Sequence, residues 1–245
     1  DYGRTPDGVF YYAMEYLEGT SLEDLVEEHG VQPEARVVHL LLQICGAREE
    51  AHDAGLVHRD IKPANVMLTE RGGIPDVVKV LDFGLVKESV KQDDAKSAAG
   101  LSGVNTILGT PHYMAPEAIL DPAKIDGRAD LYAVGGIAYY LLTGQRVFEG
   151  TNLVEICSHH IHSVPTRPSD RAPQPVLPAL EKVILSCLAK SRDDRPASAA
   201  VLVDLLRACQ TEAPWDAAAA GAWWQKQRAS IRPAYAAEIA PTETV

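Results

Sequence analysis

The 245-residue sequence has no run of about 18 apolar residues, the minimum for a membrane-spanning helix. It has no charged-then-apolar leader either, so neither a signal peptide nor a membrane span is expected in this segment. Basic charge is scarce: 23 Lys and Arg stand against 34 Asp and Glu, a net charge of -11. That balance argues against a general nucleic-acid binder, which would need basic patches to meet phosphates. It suits a cytoplasmic protein kept in solution by its charge. The four cysteines, Cys45, Cys157, Cys187 and Cys209, lie far apart and form no C-x-x-C pair. Reduced, mostly buried thiols are expected. No internal repeat is visible. The sequence opens at Asp1 rather than at methionine, as a fragment or a processed product would.

What is present reads as mainly α with a few short strands. Hydrophobic residues make up 46% and charged residues 23%, ordinary values for a chain that can build a core. Residues 9–14 are β-branched and aromatic and follow a Pro6-Asp7-Gly8 turn, so they predict a strand. Ser21 is a helix N-cap, with Asp24 at the capping-box position. Residues 34–54 predict a helix whose stripe of Val37, Leu41, Ile44 and Arg48 faces inward, closed by Gly55. Residues 77–81 predict a strand, 88–105 a mobile loop without periodicity, and 129–142 an apolar helix closed by Gly144. Further helices are expected at 179–189 and 197–209. Between them and the earlier helix, residues 163–178 carry Pro165, Pro168, Pro173, Pro175 and Pro178, in isolation a linker composition. All three tryptophans, Trp215, Trp223 and Trp224, fall in the Ala-rich tail. A disordered tail seldom spends tryptophan, so a helix is expected near 216–230, capped by Asp216. It is read as an extra helix docked on the domain, with a partner-binding segment as the sharper alternative.

The chemistry concentrates in residues 58–65, His-Arg-Asp-Ile-Lys-Pro-Ala-Asn. Six specified residues in this order arise by chance roughly once in 10⁷–10⁸ positions. Asp82-Phe83-Gly84 follows the predicted strand, 22 residues after Asp60. Gly109-Thr110-Pro111-His112-Tyr113-Met114-Ala115-Pro116-Glu117 comes next. On these three motifs the sequence resembles the eukaryotic-like (Hanks-type) serine/threonine protein kinases, in a bacterial style. The resemblance spans about residues 1–208. It implies a protein-kinase C-terminal lobe over 19–208, preceded at 1–18 by the last small-lobe strand and the hinge, and followed by a tail over 209–245. The proline-rich stretch then becomes a loop between two late helices.

Roles follow from the resemblance. Asp60 would orient and deprotonate the attacking hydroxyl. Lys62 would place a cation by the transferring phosphate, and a lysine there fits the serine/threonine class. Asn65 and Asp82 would hold Mg2+, which prefers hard oxygen ligands. Thr110 would hydrogen-bond near Asp60 and Lys62. Met14 would be the gatekeeper, the backbones of Glu15 and Leu17 would meet the adenine of ATP, and Leu22 and Met67 would form the floor beneath it. His58 and Phe83 are expected to pack. Glu117 is expected to pair with Arg195, and Asp130 to brace the catalytic loop. Arg59 and Lys87 would pair with a phosphate on Thr106, with Ser97 and Ser102 as weaker candidates. The substrate implied is a protein serine or threonine.

The resemblance is incomplete. No G-x-G-x-x-G loop and no V-A-I-K-like strand precede the catalytic loop, so half of the expected phosphate clamp is not in these residues. The parent protein is therefore expected to be an active kinase, and the isolated chain a weak or inactive one. The alternatives are a non-catalytic kinase-like binding module and, more distantly, a small-molecule phosphotransferase, which would not have the G-T-P-x-Y-M-A-P-E segment.

Overall fold

In the computed structural model, which describes residues 2–5, 10–12, 15–53, 57–81, 111–211 and 213–227, the strands are short and the helices carry the mass. Tyr2–Arg4 (β1) and Phe10–Tyr12 (β2) pair antiparallel. Gly19–Ser21 (β3) runs directly into Leu22–His29 (α1). Glu34–Asp53 (α2) follows, then residues 58–65, Val66–Arg71 (β4) and Ile74–Val80 (β5). The order β3-β4-β5 makes an antiparallel three-stranded sheet. After residue 110 come Pro116–Leu120 (α3), Arg128–Thr143 (α4), Leu153–His162 (α5), Pro178–Cys187 (α6), Ala199–Arg207 (α7) and Ala217–Gln227 (α8). These are eight helices among the described residues. None is long and apolar enough to cross a membrane.

The core forms around α4. Every residue of that helix from Ala129 to Thr143 is buried, so it is an axle surrounded on all sides rather than an amphipathic surface helix. Gly144 ends it in the left-handed region at φ 69°, and its N–H closes on the Tyr140 carbonyl at 2.8 Å. Gly135 lets α4 approach α6: a Cβ there would lie 2.6 Å from Cys187 Cβ. On α2, Val37, Leu40, Ile44 and Cys45 are fully buried and Leu41 nearly so, and α2 packs on α7 and α4. The four cysteines are free and buried. Burial pushes the Cys187 thiol up to about 12.

Local rules account for the ends of the elements. The Asp24 amide donates to Ser21 Oγ at 3.0 Å, the expected cap. The reciprocal half differs: Ser21 Oγ donates to the Asp24 carboxylate at 2.7 Å. The aspartate is one methylene shorter than the glutamate of a capping box, and here it turns to the hydroxyl. Residues 163–178 connect α5 to α6 through a 3-10 turn at Pro168–Asp170, with Pro168 buried. β1, β3, β4, α3 and α5 are elements that the sequence pattern did not announce. Arg48, Gly55 and the expected loop at 88–105 lie outside the described residues or side chains.

The tail forms a helix docked on the preceding residues, as expected. Asp216 caps α8 as expected, with Oδ1 accepting from the Ala218 and Ala219 amides at 3.0 and 2.9 Å. The helix packs against β5, and Trp224 joins the core cluster at 5% exposure. The described tail is therefore continuous with the lobe.

Gly135→Ala should lower the unfolding free energy by about 1–3 kcal/mol, because α4 and α6 must separate to admit one methyl group. Denaturant melts of the two proteins test this, and an unchanged midpoint would contradict the close packing.

Candidate active site

The loop from His58 to Asn65 is held by side chains rather than by regular structure. Asp130, on the first turn of buried α4, accepts the backbone N–H of His58 at 3.0 Å through Oδ2 and that of Arg59 at 3.2 Å through Oδ1. Arg59 lies in the left-handed region at φ 64°. That conformation is unfavourable for a non-glycine residue, and the two hydrogen bonds to a buried carboxylate offset the cost. His58 is wholly buried. Its Nε2–H faces the Leu81 carbonyl at 2.8 Å, which leaves Nδ1 to accept from the Asp60 amide at 3.3 Å. These partners fix the neutral tautomer with the proton on Nε2. Leu81 also donates its N–H to the Asn65 carbonyl at 2.8 Å. The loop and the end of the β5 segment are thereby tied at two points.

Three functional side chains converge on this frame. Asn65 Nδ2 donates to the Asp60 carbonyl at 2.9 Å and to Asp60 Oδ2 at 3.1 Å. Lys62 Nζ lies 3.3 Å from Asp60 Oδ2. Both charged side chains of that pair are about a quarter exposed (23% and 24%), so the carboxylate is positioned yet open to a substrate. With its NH2 engaged by two oxygen acceptors, Asn65 has its amide oxygen turned away from Asp60. A hard cation such as Mg2+ fits a site of this kind, with Asp60 beside it and Asn65 Oδ1 as an oxygen donor.

A second charged element underlies the loop. Arg195 forms a two-pronged ion pair with Glu117, both N···O distances being 2.7 Å. Its guanidinium also donates to the carbonyls of Arg128, Ala189 and Lys190, at 3.0, 2.8 and 3.1 Å. It lies over the Tyr132 ring at 4.9 Å. Glu117 lies in the first turn of α3, just after Pro116, and Arg195 follows the 3-10 turn of residues 192–194. The pair thus ties the end of the Gly109–Glu117 motif to the base of α4. Nearby, His160 is buried, with Nδ1 against the Tyr132 hydroxyl at 2.8 Å. Burial, and then the adjacent Lys190 ammonium, hold its pKa down at about 3. Burial and Arg195 in turn bring Lys190 down to about 8.

The remaining expected residues are distributed unevenly. Arg59 is exposed. Glu15 is exposed and 3.6 Å from Arg71, while Leu17 and Met67 are half-buried. Leu22 has no exposed surface and belongs to the core. Met14, Asp82, Phe83, Lys87, Thr106 and Thr110 lie outside the described residues. Sequence reasoning missed Arg36 and Asp76, which form a wholly buried ion pair at 2.8 Å. Arg36 falls beside the apolar stripe of α2, and no motif marked it.

The site sets an aspartate, a lysine and an asparagine on one loop, the arrangement that the sequence motif implied. Comparison with known proteins agrees. Residues 4–205 match the family model of the protein kinase domain. Over 213 residues the chain is 40% identical to the serine/threonine-protein kinase Pkn3 of Myxococcus xanthus, covering 86% of this chain and 38% of that protein. It is 44% identical over 203 residues to Pkn1 of the same organism (82% and 28% covered) and 34% identical over 213 residues to PknB of Mycolicibacterium smegmatis (86% and 32%). The crystal structure of a point mutant of the Mycobacterium tuberculosis PknI kinase domain is similar at TM-score 0.59 and 26% identity, covering 84% of this chain and 68% of that one. The structure of Rad53 1–466 in complex with AMP-PNP is similar at TM-score 0.64 and 26% identity, covering 83% and 48%. The chain belongs to the protein kinase family, in its bacterial serine/threonine branch. It spans between 28% and 38% of the length of these curated relatives.

Two outcomes test the charged elements. Arg195→Ala should cost about 3–5 kcal/mol of stability by stranding Glu117, and adding Glu117→Gln should restore part of it. Additive losses in that double-mutant cycle would contradict the pairing. Between pH 6.5 and 3 the unfolded chain protonates His160 and the folded one does not, so stability should fall as pH drops through that window. His160→Gln should remove about 1–3 kcal/mol of the loss measured between pH 7 and 5. An acid sensitivity equal to that of the parent would contradict it.

Proposed function

We propose that this chain is the catalytic lobe of an ATP-dependent protein serine/threonine kinase that transfers the γ-phosphoryl group to serine or threonine hydroxyls of a protein substrate. The observation that carries the reading is the convergence of Lys62 Nζ and Asn65 Nδ2 on one partly exposed carboxylate oxygen of Asp60. In this role Asp60 aligns the hydroxyl and takes its proton as the new O–P bond forms. The bond between the γ-phosphorus and the bridging oxygen breaks, and ADP leaves. Lys62 sets a positive charge against the oxygens of the group in transit, where fixed charge counts most. Magnesium, when bound with ATP, supplies charge neutralisation across the phosphates, and Asn65 and Asp82 are the residues to hold it.

The same reading assigns residues 1–18 to the last small-lobe strand and hinge and 19–208 to the large lobe. Met14, Glu15, Leu17 and Met67 would meet the adenine. Thr110 would help present the acceptor hydroxyl. A phosphate on Thr106 would pair with Arg59, which is exposed, and with Lys87. The reading puts the reaction in the cytoplasm and allows a membrane anchor in the parent protein outside this segment. A non-catalytic kinase-like module is the competing reading, but such a module has no use for a lysine and an asparagine converging on one aspartate.

The test is transfer of labelled γ-phosphate to protein serine or threonine by the full-length protein that carries this sequence. Asp60→Asn should lower the rate by about 10²–10⁴-fold without changing the fold. Equal rates in the parent and the variant, or no transfer by a folded parent, would overturn the assignment.

A further inference from the structure

Asp76 occupies an unusual position in β5. It is not a glycine, yet it lies in the left-handed region at φ 54°, and it is 1% exposed. Such a conformation in a buried residue persists only where the surroundings enforce it. Its two carboxylate oxygens receive four donors. Arg36 Nε and Trp215 Nε1 donate to Oδ2 at 2.9 and 2.7 Å. Arg36 Nη2 and Trp224 Nε1 donate to Oδ1 at 2.8 and 2.6 Å. The carboxylate is thus saturated by groups from α2 and from the tail, 40, 139 and 148 residues distant in sequence.

The tail also closes over the cation. Arg36 is wholly buried, with its guanidinium 3.8 Å from the Trp223 ring centroid and 4.9 Å from that of Trp215. Trp223 meets His29 of α1 edge-on at 5.3 Å. Gln32 accepts the remaining prong of Arg36 at 2.8 Å. Removing charge from water costs free energy unless donors and rings replace the solvent, and here the three tryptophans supply much of that replacement. The backbone is held as well: Gln43 of α2 donates to the Asp76 carbonyl at 2.7 Å and accepts the Val78 N–H at 3.1 Å. Five residues beyond Asp76, the Leu81 carbonyl meets His58 of the catalytic loop at 2.8 Å.

We propose that Asp76 and Arg36 form a docking site for the chain's own residues 213–227, and that occupancy of this site holds β5 in the position that delivers Leu81 to the catalytic loop. The first half stands on the contacts above. Its consequence for phosphoryl transfer rests on the kinase reading, with Asp76 as a positioning residue remote from the substrate. The kinase match ends at residue 205, so the tail adds a brace to the lobe from outside the family's common core.

All three tryptophans belong to this segment, so intrinsic tryptophan emission from the intact chain reports its docking alone. Two variants are needed. Asp76→Asn keeps the shape but turns an amide NH2 toward donors. Trp215→Phe with Trp224→Phe keeps the apolar bulk and the Arg36–Asp76 pair, removes only the indole donors, and leaves Trp223 as the reporter. Each should shift emission to the red and expose residues 213–227 to protease. Each should also speed amide exchange over residues 74–81 by about tenfold or more while α6 is unchanged. Unaltered emission and protease resistance in both variants would overturn the docking site. A released tail with unaltered exchange at 74–81, or faster exchange across α6 as well, would overturn the link to β5. These readouts need no activity. If the parent transfers no phosphate, the proposed function fails and the docking result still stands.

Discussion

The arrangement of the site depends on one buried carboxylate. Asp130 is the one carboxylate of α4 and gives both oxygens to the backbone amides of His58 and Arg59. A carboxylate removed from water must find donors, and the His58 and Arg59 peptides turn inward to supply them. That turn drives Arg59 to positive φ and seats His58 under the loop, where the histidine reaches Leu81. Asp60 is then presented by a peptide already fixed on both sides. The placement of the Asp60 carboxylate is therefore inherited from α4, whose residues 129–143 are all buried.

Two buried ion pairs play different parts around this frame. Glu117 and Arg195 join segments from either side of α4, and Arg195 directs its spare donors to three carbonyls. Arg36 and Asp76 join α2 to β5 and are covered by the tryptophans of the tail. Burial lowers the Arg36 pKa, and the hydrogen bond and charge of Asp76 oppose that shift. Neither pair needs to add net stability over an apolar replacement. What each does is specify which segments meet, since a lone member would be left as an unpaired buried charge.

The division between what was legible in the sequence and what was not follows sequence distance. The helices at α2, α4, α6 and α7 were readable because their apolar residues recur at helical spacing. Asp60, Lys62 and Asn65 were readable because a dense local motif encodes them. The Glu117–Arg195 pairing was accessible only through the family resemblance, being 78 residues apart. β3 and β4 were missed because three to six residues next to a motif carry little periodicity of their own. Arg36 was missed because a charged residue beside a helical stripe reads as solvated, and Asp76 because no motif marked it; only the partner 40 residues away makes the burial of each possible. Three tryptophans in one tail were the available signal, and they pointed to docking without saying where.

The central claim is that Asp130 holds the loop on which Asp60 is proposed to take the hydroxyl proton and Asn65, together with Asp82, to hold the magnesium of the nucleotide. A crystal structure of the full-length protein with magnesium and a non-hydrolysable ATP analogue tests it most directly. The account predicts Mg2+ about 2.1 Å from Asn65 Oδ1, with Asn65 Nδ2 still donating to Asp60. A bound nucleotide whose metal makes no contact with Asn65, or an Asn65 amide turned the other way, would contradict it.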